Sequence, residues 1–531
     1  MRRGHSGTAL LLLGLSAFLL FYRLGSYGLV ETADARYAEI AWEMYQSGDW
    51  LTPKLNYVKH FHKPPLTFWT IAAGYHLLGE NEWGARLGLG LTGLATLLLT
   101  YGLARRLYGE RVGLLAWAIL LSMGGFLGAH RLLTTDPLLT LWMTAALYAF
   151  WRWQEAGEGR FSHLFFACLG LAMLTKGPVG VAVVWLIIAA WAFAAGRLRE
   201  LGRLRWGAGL GLFAALGLGW YLYAVLQNEG LLRYFLFGQL AERVSGEMGH
   251  PRPFWYIGAM FLLYCLPWTP YLAPALGWRP LPSRGGAEKA FLAAWALVPV
   301  VFFSLPATKL PNYILPALPP VAIVLAAWWQ ETARLGAGGR LAAALLGAAL
   351  LVYPALLLVR PGITPGLEGL APVVAALGIL AAGLQLVSAL TARPRLALVG
   401  AACLLPLLLV VAGFETERLP LRSWRPLGVR VAELAGPSEC VATYRCYLYS
   451  LPFYAQRRVT VAGMSRTTQF ETEDPRPYLP SPEEFLAGWE SRGRTYCILP
   501  EWTLPDFEGK PFQVLGRHRR LVLISNEAKG G

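Results

Sequence analysis

Apolar stretches of about twenty residues recur along most of this chain and constrain its fold more than any other feature. Hydrophobic residues make up 55% of the 531 residues, and charged residues only 15%. A soluble chain of this length would divide into several domains with a more polar surface. A helix of about twenty residues is about 30 Å long, which matches the hydrocarbon thickness of a bilayer. The pattern therefore predicts a polytopic α-helical membrane protein.

The apolar stretches also predict how many helices cross the membrane and in which direction. About thirteen spans are expected, at 8–24, 84–105, 112–129, 134–152, 161–175, 178–196, 207–227, 254–273, 288–305, 311–329, 340–359, 367–391 and 395–414. Basic residues concentrate in alternate loops, and the opposite short loops hold only Arg131, Lys176, Lys309 and Arg360. Because basic loops stay in the cytoplasm, we expect a multi-pass protein of the cell inner membrane. Its N-terminus is expected in the cytoplasm and its C-terminal segment outside.

The formal net charge of +15 could indicate a nucleic-acid partner, but the distribution of the basic residues argues against one. Most of them lie in short loops between apolar stretches, where they orient the spans. We therefore expect membrane lipids, and no nucleic acid, among the partners.

Three segments are too long to be simple external connections. They are a first external loop at about 25–83, a second at about 228–253 and the tail 415–531. The tail alternates short β-rich stretches with turns, which predicts a small external α/β domain beside a transmembrane domain 1–414. Its Cys440 and Cys446 either form a disulfide or remain two thiols.

Two short in-plane helices are predicted in the first external loop. Apolar residues recur at helical spacing across 37–45, whereas Glu39 and Glu43 face elsewhere. An amphipathic helix of this kind suits the membrane surface. After the Pro64–Pro65 pair, the apolar stretch 66–79 is too short to span the bilayer comfortably. It predicts a second interfacial helix.

Charged residues near the hydrocarbon are costly and are functional candidates by default. On the external side they are few, namely Asp34, Arg36, Lys63, Asp136, Lys176, Arg243, His250 and Lys309. Cations suit a phosphate group, and a carboxylate can orient or deprotonate an attacking group. The set therefore suggests an anionic phospholipid headgroup that carries something transferable. The alternative is that each acid caps a helix and each base anchors a helix at the interface.

Short motifs along the chain carry a resemblance to a known family. In order they are ETADARYAEIAWEM, FHKPPL, TTDPLL, LTKGP, TKLPNYILP and SLPFY. Together they resemble the ArnT-like lipid-linked sugar transferases, within the broader protein mannosyltransferase and GT-C class, and they cover nearly the whole chain. The resemblance implies a GT-C fold and a glycosyltransferase activity. A sugar would move from a polyprenyl phosphate (undecaprenyl phosphate in bacteria) to an external acceptor, with inversion at the anomeric carbon.

The resemblance implies catalytic residues, with one departure from the family pattern. The first-loop signature Asp-Glu-x-Arg-Tyr of the family appears here as Ala33-Asp34-Ala35-Arg36-Tyr37, so its first acid is missing. We assign the catalytic role to Asp34, and Asp136 is the second catalytic candidate. The alternative is that Glu31 helps from one turn earlier.

Substrate and metal ligands are implied in the same way. The substrate-binding candidates are Arg36, Tyr37, Lys63, Arg243, Lys309 and Tyr313, the last four at positions where the family contacts the lipid phosphate. The family sequence Glu-Lys-Pro-Pro appears as His62-Lys63-Pro64-Pro65, which keeps the lysine and replaces the acid. That acid is associated with a metal site in the aminoarabinose enzymes. His62 could therefore ligate a divalent metal such as zinc, together with His250.

Two classes of function are compatible with the sequence, an enzyme and a transporter or flippase for lipid-linked sugars. Transporters place ionisable residues near the bilayer midplane, whereas here they cluster at external helix ends, which favours the enzyme. Its acceptor could be lipid A, another envelope glycolipid or a protein. A phosphate acceptor needs no strong base, whereas a hydroxyl acceptor needs Asp34 to take a proton.

The predicted orientation can be tested with topology reporters. A reporter fused after Gly531 should behave as external, and one inserted in the Arg197–Arg205 loop as cytoplasmic, because the basic loops set the orientation. Alkaline phosphatase and green fluorescent protein activity would report the two sides. Reporters on the same side would contradict the odd number of spans.

Overall fold

The structure is a computed structural model. It describes residues 2–238, 251–277, 286–359, 371–401, 423–464, 478–479, 481–491 and 493–526. Two of the candidate site residues, Arg243 and His250, lie outside the described residues.

Helices dominate the first four hundred residues, as the apolar stretches predicted. They are α1 Arg2–Phe21, α2 Ala33–Ser47, α3 Leu66–Leu78, α4 Glu82–Tyr108, α5 Glu110–Ser122, α6 Gly124–Ala129, α7 Asp136–Ala156, α8 Gly159–Lys176, α9 Pro178–Ala194, α10 Trp206–Phe213, α11 Gly219–Gln227, α12 Leu231–Arg233, α13 Tyr256–Tyr264, α14 Thr269–Leu276, α15 Gly286–Ser304, α16 Leu318–Glu331, α17 Ala337–Val359, α18 Ala371–Thr391 and α19 Pro394–Val399. Short 3₁₀ segments lie at Leu198–Arg203 and Pro311–Ala317, and π-helical turns at Ala214–Leu218 and Tyr234–Gly238.

Within the described residues, 6 helical segments are long and apolar enough to cross a membrane. They are Glu82–Tyr108, Trp206–Gln227, Gly286–Ser304, Pro311–Glu331, Ala337–Leu357 and Ala371–Thr391. A seventh span results if α13 and α14, which meet at a bend of 100°, are counted together. These segments agree with a multi-pass membrane protein, and the total of about thirteen spans stays a prediction.

The chain separates into two compact units. The helical unit contains Met1–Arg23, Leu89–Arg131 and Thr135–Leu419, and the sheet unit contains Leu24–Gly88, Leu132–Thr134 and Pro420–Gly531. The first external loop, which the sequence analysis placed in the domain 1–414, therefore shares a unit with the tail.

Aromatic side chains fill the core of the helical unit, and the polar atoms of Trp268 and Tyr271 find partners inside it. The indole N–H of Trp268 donates to Ser122 Oγ at 2.9 Å, and the hydroxyl of Tyr271 donates to Gln385 Oε1 at 2.6 Å. In a low-dielectric interior an unpaired donor costs several kcal/mol. These two bonds therefore offset the cost of burying the indole N–H of Trp268 and the hydroxyl of Tyr271 between the helices.

The tail forms a six-stranded mixed sheet with helices, which confirms the predicted small α/β domain. Its strands are β3 Cys440–Tyr444, β4 Thr460–Ala462, β5 Tyr478–Leu479, β6 Thr495–Pro500, β7 Gln513–His518 and β8 Leu521–Ser525, in the order β5-β4-β3-β6-β8-β7. Strands β3 to β6 pair in parallel, and β8 runs antiparallel to β6 and β7. Three helices accompany the sheet, α20 Arg425–Leu434, α21 Leu451–Ala455 and α22 Pro482–Ala487. Cys440 and Cys446 remain free thiols.

Helix α2 exists as predicted, and the two acids that the sequence pattern places off its apolar face are buried. Glu39 is 0% exposed and Glu43 is 4% exposed. The cause is a tight hairpin between β1 Lys54–Leu55 and β2 Val58–Lys59. Its turn residues Asn56 and Tyr57 have φ values of 49° and 66°, as in a type I′ turn.

The two carboxylates serve as acceptors for the backbone of that turn. Asn56 N donates to Glu39 Oε1 at 2.8 Å, and Tyr57 N donates to Glu43 Oε1 at 2.8 Å. Burial and the neighbouring Glu43 raise the pKa of Glu39 well above its usual range, and burial also raises the pKa of Glu43. Two adjacent buried carboxyl groups cannot both ionise cheaply. Glu39 is therefore the protonated member of the pair, and Glu43 carries the charge.

This pair makes the stability of the sheet unit depend on pH. Because the folded-state pKa of Glu39 is raised, its contribution is fully present below the ordinary pKa of 4.5 and is lost as the pH rises through the folded pKa. Glu39→Gln keeps a donor toward Glu43 and has no proton to lose. We expect it to flatten the decline of Tm toward alkaline pH, by about 2–4 °C for each kcal/mol recovered.

Thermal unfolding in detergent, followed from acidic to alkaline pH, measures this effect. The matched control is Glu433→Gln on α20, whose side chain is 58% exposed. If the Tm values of the wild type and of Glu39→Gln change with pH in parallel, the proton on Glu39 does not contribute to stability.

Candidate functional site

Asp34, the predicted catalytic acid, lies in a buried ion pair with Arg86. Asp34 is 3% exposed and Arg86 is 0% exposed. Arg86 Nη2 donates to Asp34 Oδ2 at 2.5 Å, and its Nε donates to Oδ1 at 3.4 Å. The backbone N–H groups of Val30 and Leu133 donate to the same carboxylate at 2.9 and 2.7 Å. Four donors therefore surround a carboxylate that has about four acceptor positions.

Arg86 is a site residue that the sequence analysis missed. It lies in the first turns of α4, inside the predicted span 84–105. Its remaining N–H groups donate to the carbonyl oxygens of Leu24, Tyr27 and Gly28 at 2.7–3.1 Å. The available signal was an arginine within an apolar run, which is costly in a membrane unless it has partners.

Glu31, the alternative acid, is more open than Asp34. Its side chain is partly exposed, and its two carboxylate oxygens accept backbone N–H groups of Ser450 at 2.8 Å and Tyr449 at 3.2 Å. Burial raises the pKa of Glu31 to about 7, against the lowering effect of these hydrogen bonds. Both donors lie immediately before α21, and Ser450 is the first residue of the SLPFY motif of the tail. That motif therefore holds a first-loop carboxylate.

Arg36 and Lys63 form a cationic group with two histidines of the sheet unit. The rings of His60 and His62 stack at a centroid distance of 4.5 Å. Burial, followed by the charges of Lys63 and Arg36, lowers the pKa of His62 to about 4, and burial lowers that of His60 well below its usual range. Both imidazoles are therefore neutral at physiological pH. Tyr37 is buried, with its ring 5.6 Å from that of Phe68.

The described residues do not fit the proposed zinc site. No group of at least three His, Cys, Asp or Glu side chains that could hold a metal ion occurs among them. Burial and then the charges of Lys63 and Arg36 lower the pKa of His62, and the same two cations would repel a divalent metal ion. The partner proposed for His62, His250, lies outside the described residues.

Asp136, the second catalytic candidate, pairs with Lys176 within the helical unit. Lys176 Nζ donates to Asp136 Oδ1 at 2.5 Å, and the two residues are 7% and 5% exposed. The same ammonium lies 4.3 Å from the ring centroid of Tyr313. Asp136 and Lys176 occupy the first residue of α7 and the last of α8. The TTDPLL and LTKGP motifs therefore meet through one ion pair.

Lys309, a predicted phosphate ligand, is 3% exposed in the helical unit. Its ammonium donates to the carbonyl oxygens of Arg252 at 3.0 Å and of Pro306. These bonds connect it to the segment around Pro251, which forms a β-bridge with Thr308. The lysine therefore ties two loops together in this structure.

Two family models match separate parts of the chain. The dolichyl-phosphate-mannose-protein mannosyltransferase family matches residues 9–235, and the aminoarabinose transferase C-terminal domain matches residues 427–526. Over these two segments the chain is similar to the ArnT-like transferases.

Curated proteins similar to this chain are named undecaprenyl phosphate-α-4-amino-4-deoxy-L-arabinose arabinosyl transferases. The Edwardsiella ictaluri protein is 34% identical over 325 residues, which cover 59% of this chain and 58% of that protein. The Pseudomonas aeruginosa protein is 36% identical over 334 residues, which cover 61% and 60%. The chain thus matches less than two thirds of the length of these relatives.

Solved structures establish the fold over nearly the whole chain. ArnT from Cupriavidus metallidurans bound to undecaprenyl phosphate has a TM-score of 0.84 at 23% identity and covers 99% of both chains. The archaeal oligosaccharyltransferase AglB from Archaeoglobus fulgidus has a TM-score of 0.51 at 14% identity, over 95% of this chain and 70% of that one. The predicted GT-C fold is confirmed.

The Asp34–Arg86 pair predicts a specific stability defect. Asp34→Asn leaves the Arg86 guanidinium buried without its counter-charge, and breaking a buried pair costs about 3–5 kcal/mol. We expect Arg86→Gln to destabilise as well, and the double variant to lose less than the sum of the two. Thermal unfolding of all four proteins in detergent gives the coupling free energy. Additive losses within about 0.5 kcal/mol would show that the two side chains do not interact.

Proposed function

We propose that this protein is an integral-membrane glycosyltransferase that moves a sugar from a polyprenyl phosphate carrier to an envelope acceptor. The carrier would be undecaprenyl phosphate in bacteria. The observation that carries the proposal is the cationic group in the sheet unit, where Arg36 and Lys63 adjoin two neutral imidazoles. The class of donor substrate is proposed from the similar curated proteins, whose names contain an undecaprenyl phosphate-linked sugar.

Permanent cations beside neutral histidines suit a phosphate group in two ways. The charges of Arg36 and Lys63 stabilise the negative charge that develops as the sugar leaves, and charge-assisted hydrogen bonds fix the phosphate. The neutral histidines can donate or accept hydrogen bonds without adding charge. The energy for transfer then comes from the sugar–phosphate bond of the carrier, and no nucleotide sugar is needed.

The ion pairs Asp34–Arg86 and Asp136–Lys176 would hold neighbouring groups in place and would not take part in the chemistry themselves. Asp34 fixes Arg86 and the loop before α2, and Asp136 orients Lys176 above the ring of Tyr313. Lys309 would hold the loops it joins, and Arg243 stays a predicted phosphate ligand. The acceptor would be lipid A, another envelope glycolipid or a protein. We place the enzyme in the inner membrane, with its N-terminus in the cytoplasm and its tail outside.

Comparison of cells with and without the gene tests the proposal directly. Mass spectrometry of envelope lipids and proteins should reveal a glycosylated acceptor that depends on the gene. Purified protein should bind undecaprenyl phosphate in detergent, and membranes of the deletion strain should gain the product when the protein is added. A transporter or flippase would redistribute the carrier lipid without transferring its sugar, and that result would overturn the enzyme.

Lys63 and Lys59 provide a matched pair for testing phosphate binding. Both lysines are partly exposed, and Lys59 lies in β2, paired in register with Lys54. Lys63→Ala should weaken use of the donor by about ten- to a hundredfold, since a hydrogen bond to a charged group contributes about 1.5–3 kcal/mol. Lys59→Ala should change it little. Donor titrations of the transfer rate measure both effects, and equal small effects would indicate that this stretch only anchors the protein.

A further inference from the structure

Glu31 and Asp34 lie three residues apart in the sheet unit. They differ in how many further hydrogen bonds their carboxylates can accept. The carboxylate of Asp34 is buried and accepts four hydrogen bonds, two from Arg86 and two from backbone N–H groups. The carboxylate of Glu31 is partly exposed and accepts two backbone N–H groups. A carboxylate has about four acceptor positions. Glu31 can therefore accept a further proton or hydrogen bond, whereas Asp34 is saturated.

The structure also holds Glu31 in place from both sides. Asp34 accepts the N–H of Val30, the residue directly before Glu31, at 2.9 Å. The N–H groups of Tyr449 and Ser450 fix the other end of the side chain. A rigid supporting set of this kind is what a group needs in order to meet a substrate in one geometry.

We propose that Glu31 is the carboxylate that accepts a proton from a hydroxyl group of the acceptor, and that Asp34 is a positioning residue for it. This inference rests on the proposed glycosyltransferase function. It narrows the acceptor to a hydroxyl compound, because a phosphate acceptor is already an anion and needs no base. It also accounts for the missing first acid at Ala33, since a carboxylate is supplied from Glu31 instead.

The step is balanced in atoms and charge. The acceptor oxygen forms a bond to the anomeric carbon of the sugar as the bond from that carbon to the carrier phosphate oxygen breaks. The bonding electrons leave with the phosphate, which becomes the free polyprenyl phosphate. The hydroxyl proton passes to the carboxylate of Glu31 and then to water, so that the enzyme returns to its starting state.

The electrostatic surroundings of Glu31 suit this role. Its pKa, raised to about 7 by burial, lies near physiological pH, where a general base combines correct protonation with sufficient basicity. The titratable and charged groups that interact with it come from the first loop, from α2 and from the tail. They are Asp34, Glu39, Cys446 and Tyr449, with Arg36 next to the Tyr449 ring.

The pH dependence of transfer tests the inference. Purified protein is added to membranes of the deletion strain, which retain donor and acceptor, and product is measured by mass spectrometry from about pH 5 to about pH 9. For the wild type we expect the rate to rise with pH through about 7, as Glu31 loses its proton. Glu31→Gln should lower the rate by about 10²–10⁴-fold and remove this rise. Glu31→Asp should be slower than the wild type but keep the rise.

The controls separate chemistry from folding. Glu433→Gln, an exposed acid on α20, should match the wild type, and Tm values identify variants that fail to fold. Asp34→Asn should lower the rate but retain the pH-dependent rise. If Glu31→Gln does not fold, the inference is tested by the pH dependence of the wild-type rate and by whether the sugar in the product is attached to a hydroxyl oxygen or to phosphate.

Three results would overturn the inference while leaving the proposed function intact. They are a wild-type rate that does not rise through about pH 7, a product whose sugar is attached to phosphate, and a folded Glu31→Gln that transfers at the wild-type rate. Absence of any transfer by the wild type would instead overturn the proposed function.

Discussion

The buried ion pair between Arg86 and Asp34 is the interaction on which the arrangement of the first loop depends. Arg86 belongs to an apolar helix and is shielded from water, so its five N–H groups require acceptors within the protein. Asp34 accepts two of them, and the carbonyl oxygens of Leu24, Tyr27 and Gly28 accept the other three. One charged side chain thereby fixes the chain before α2 and leaves no donor stranded.

Most of the helices could be predicted from the sequence, because a span needs a run of apolar residues and such runs are visible without tertiary information. The division of the chain into two compact units could not be predicted from the sequence. The first loop joins the tail through individual side chains, such as Asn56, which bonds both N and O of Val459, and Glu31, which accepts from Ser450. The periodicity of either segment does not predict a hydrogen-bond partner about four hundred residues away in the sequence.

The candidate site was predicted in part for a similar reason. Motifs located Arg36, Lys63 and Asp34, but a motif does not reveal whether a carboxylate is open or already saturated with donors. Periodicity places Glu39 and Glu43 off the apolar face of α2, but it does not show which groups they contact. The structure instead turns them toward the backbone N–H groups of a hairpin, which a sequence pattern cannot distinguish from water.

The contacts between the first loop and the tail have a consequence for the order in which the protein is made. Glu31 and Asn56 emerge from the ribosome about four hundred residues before Ser450 and Val459, their partners. At about 5–20 residues per second, this delay is on the order of tens of seconds. During that interval the side chains of Glu31 and Asn56 lack the backbone groups of the tail with which they form hydrogen bonds in the folded protein. The tail, which is translated about four hundred residues after the first loop, is therefore what allows that loop to complete its fold.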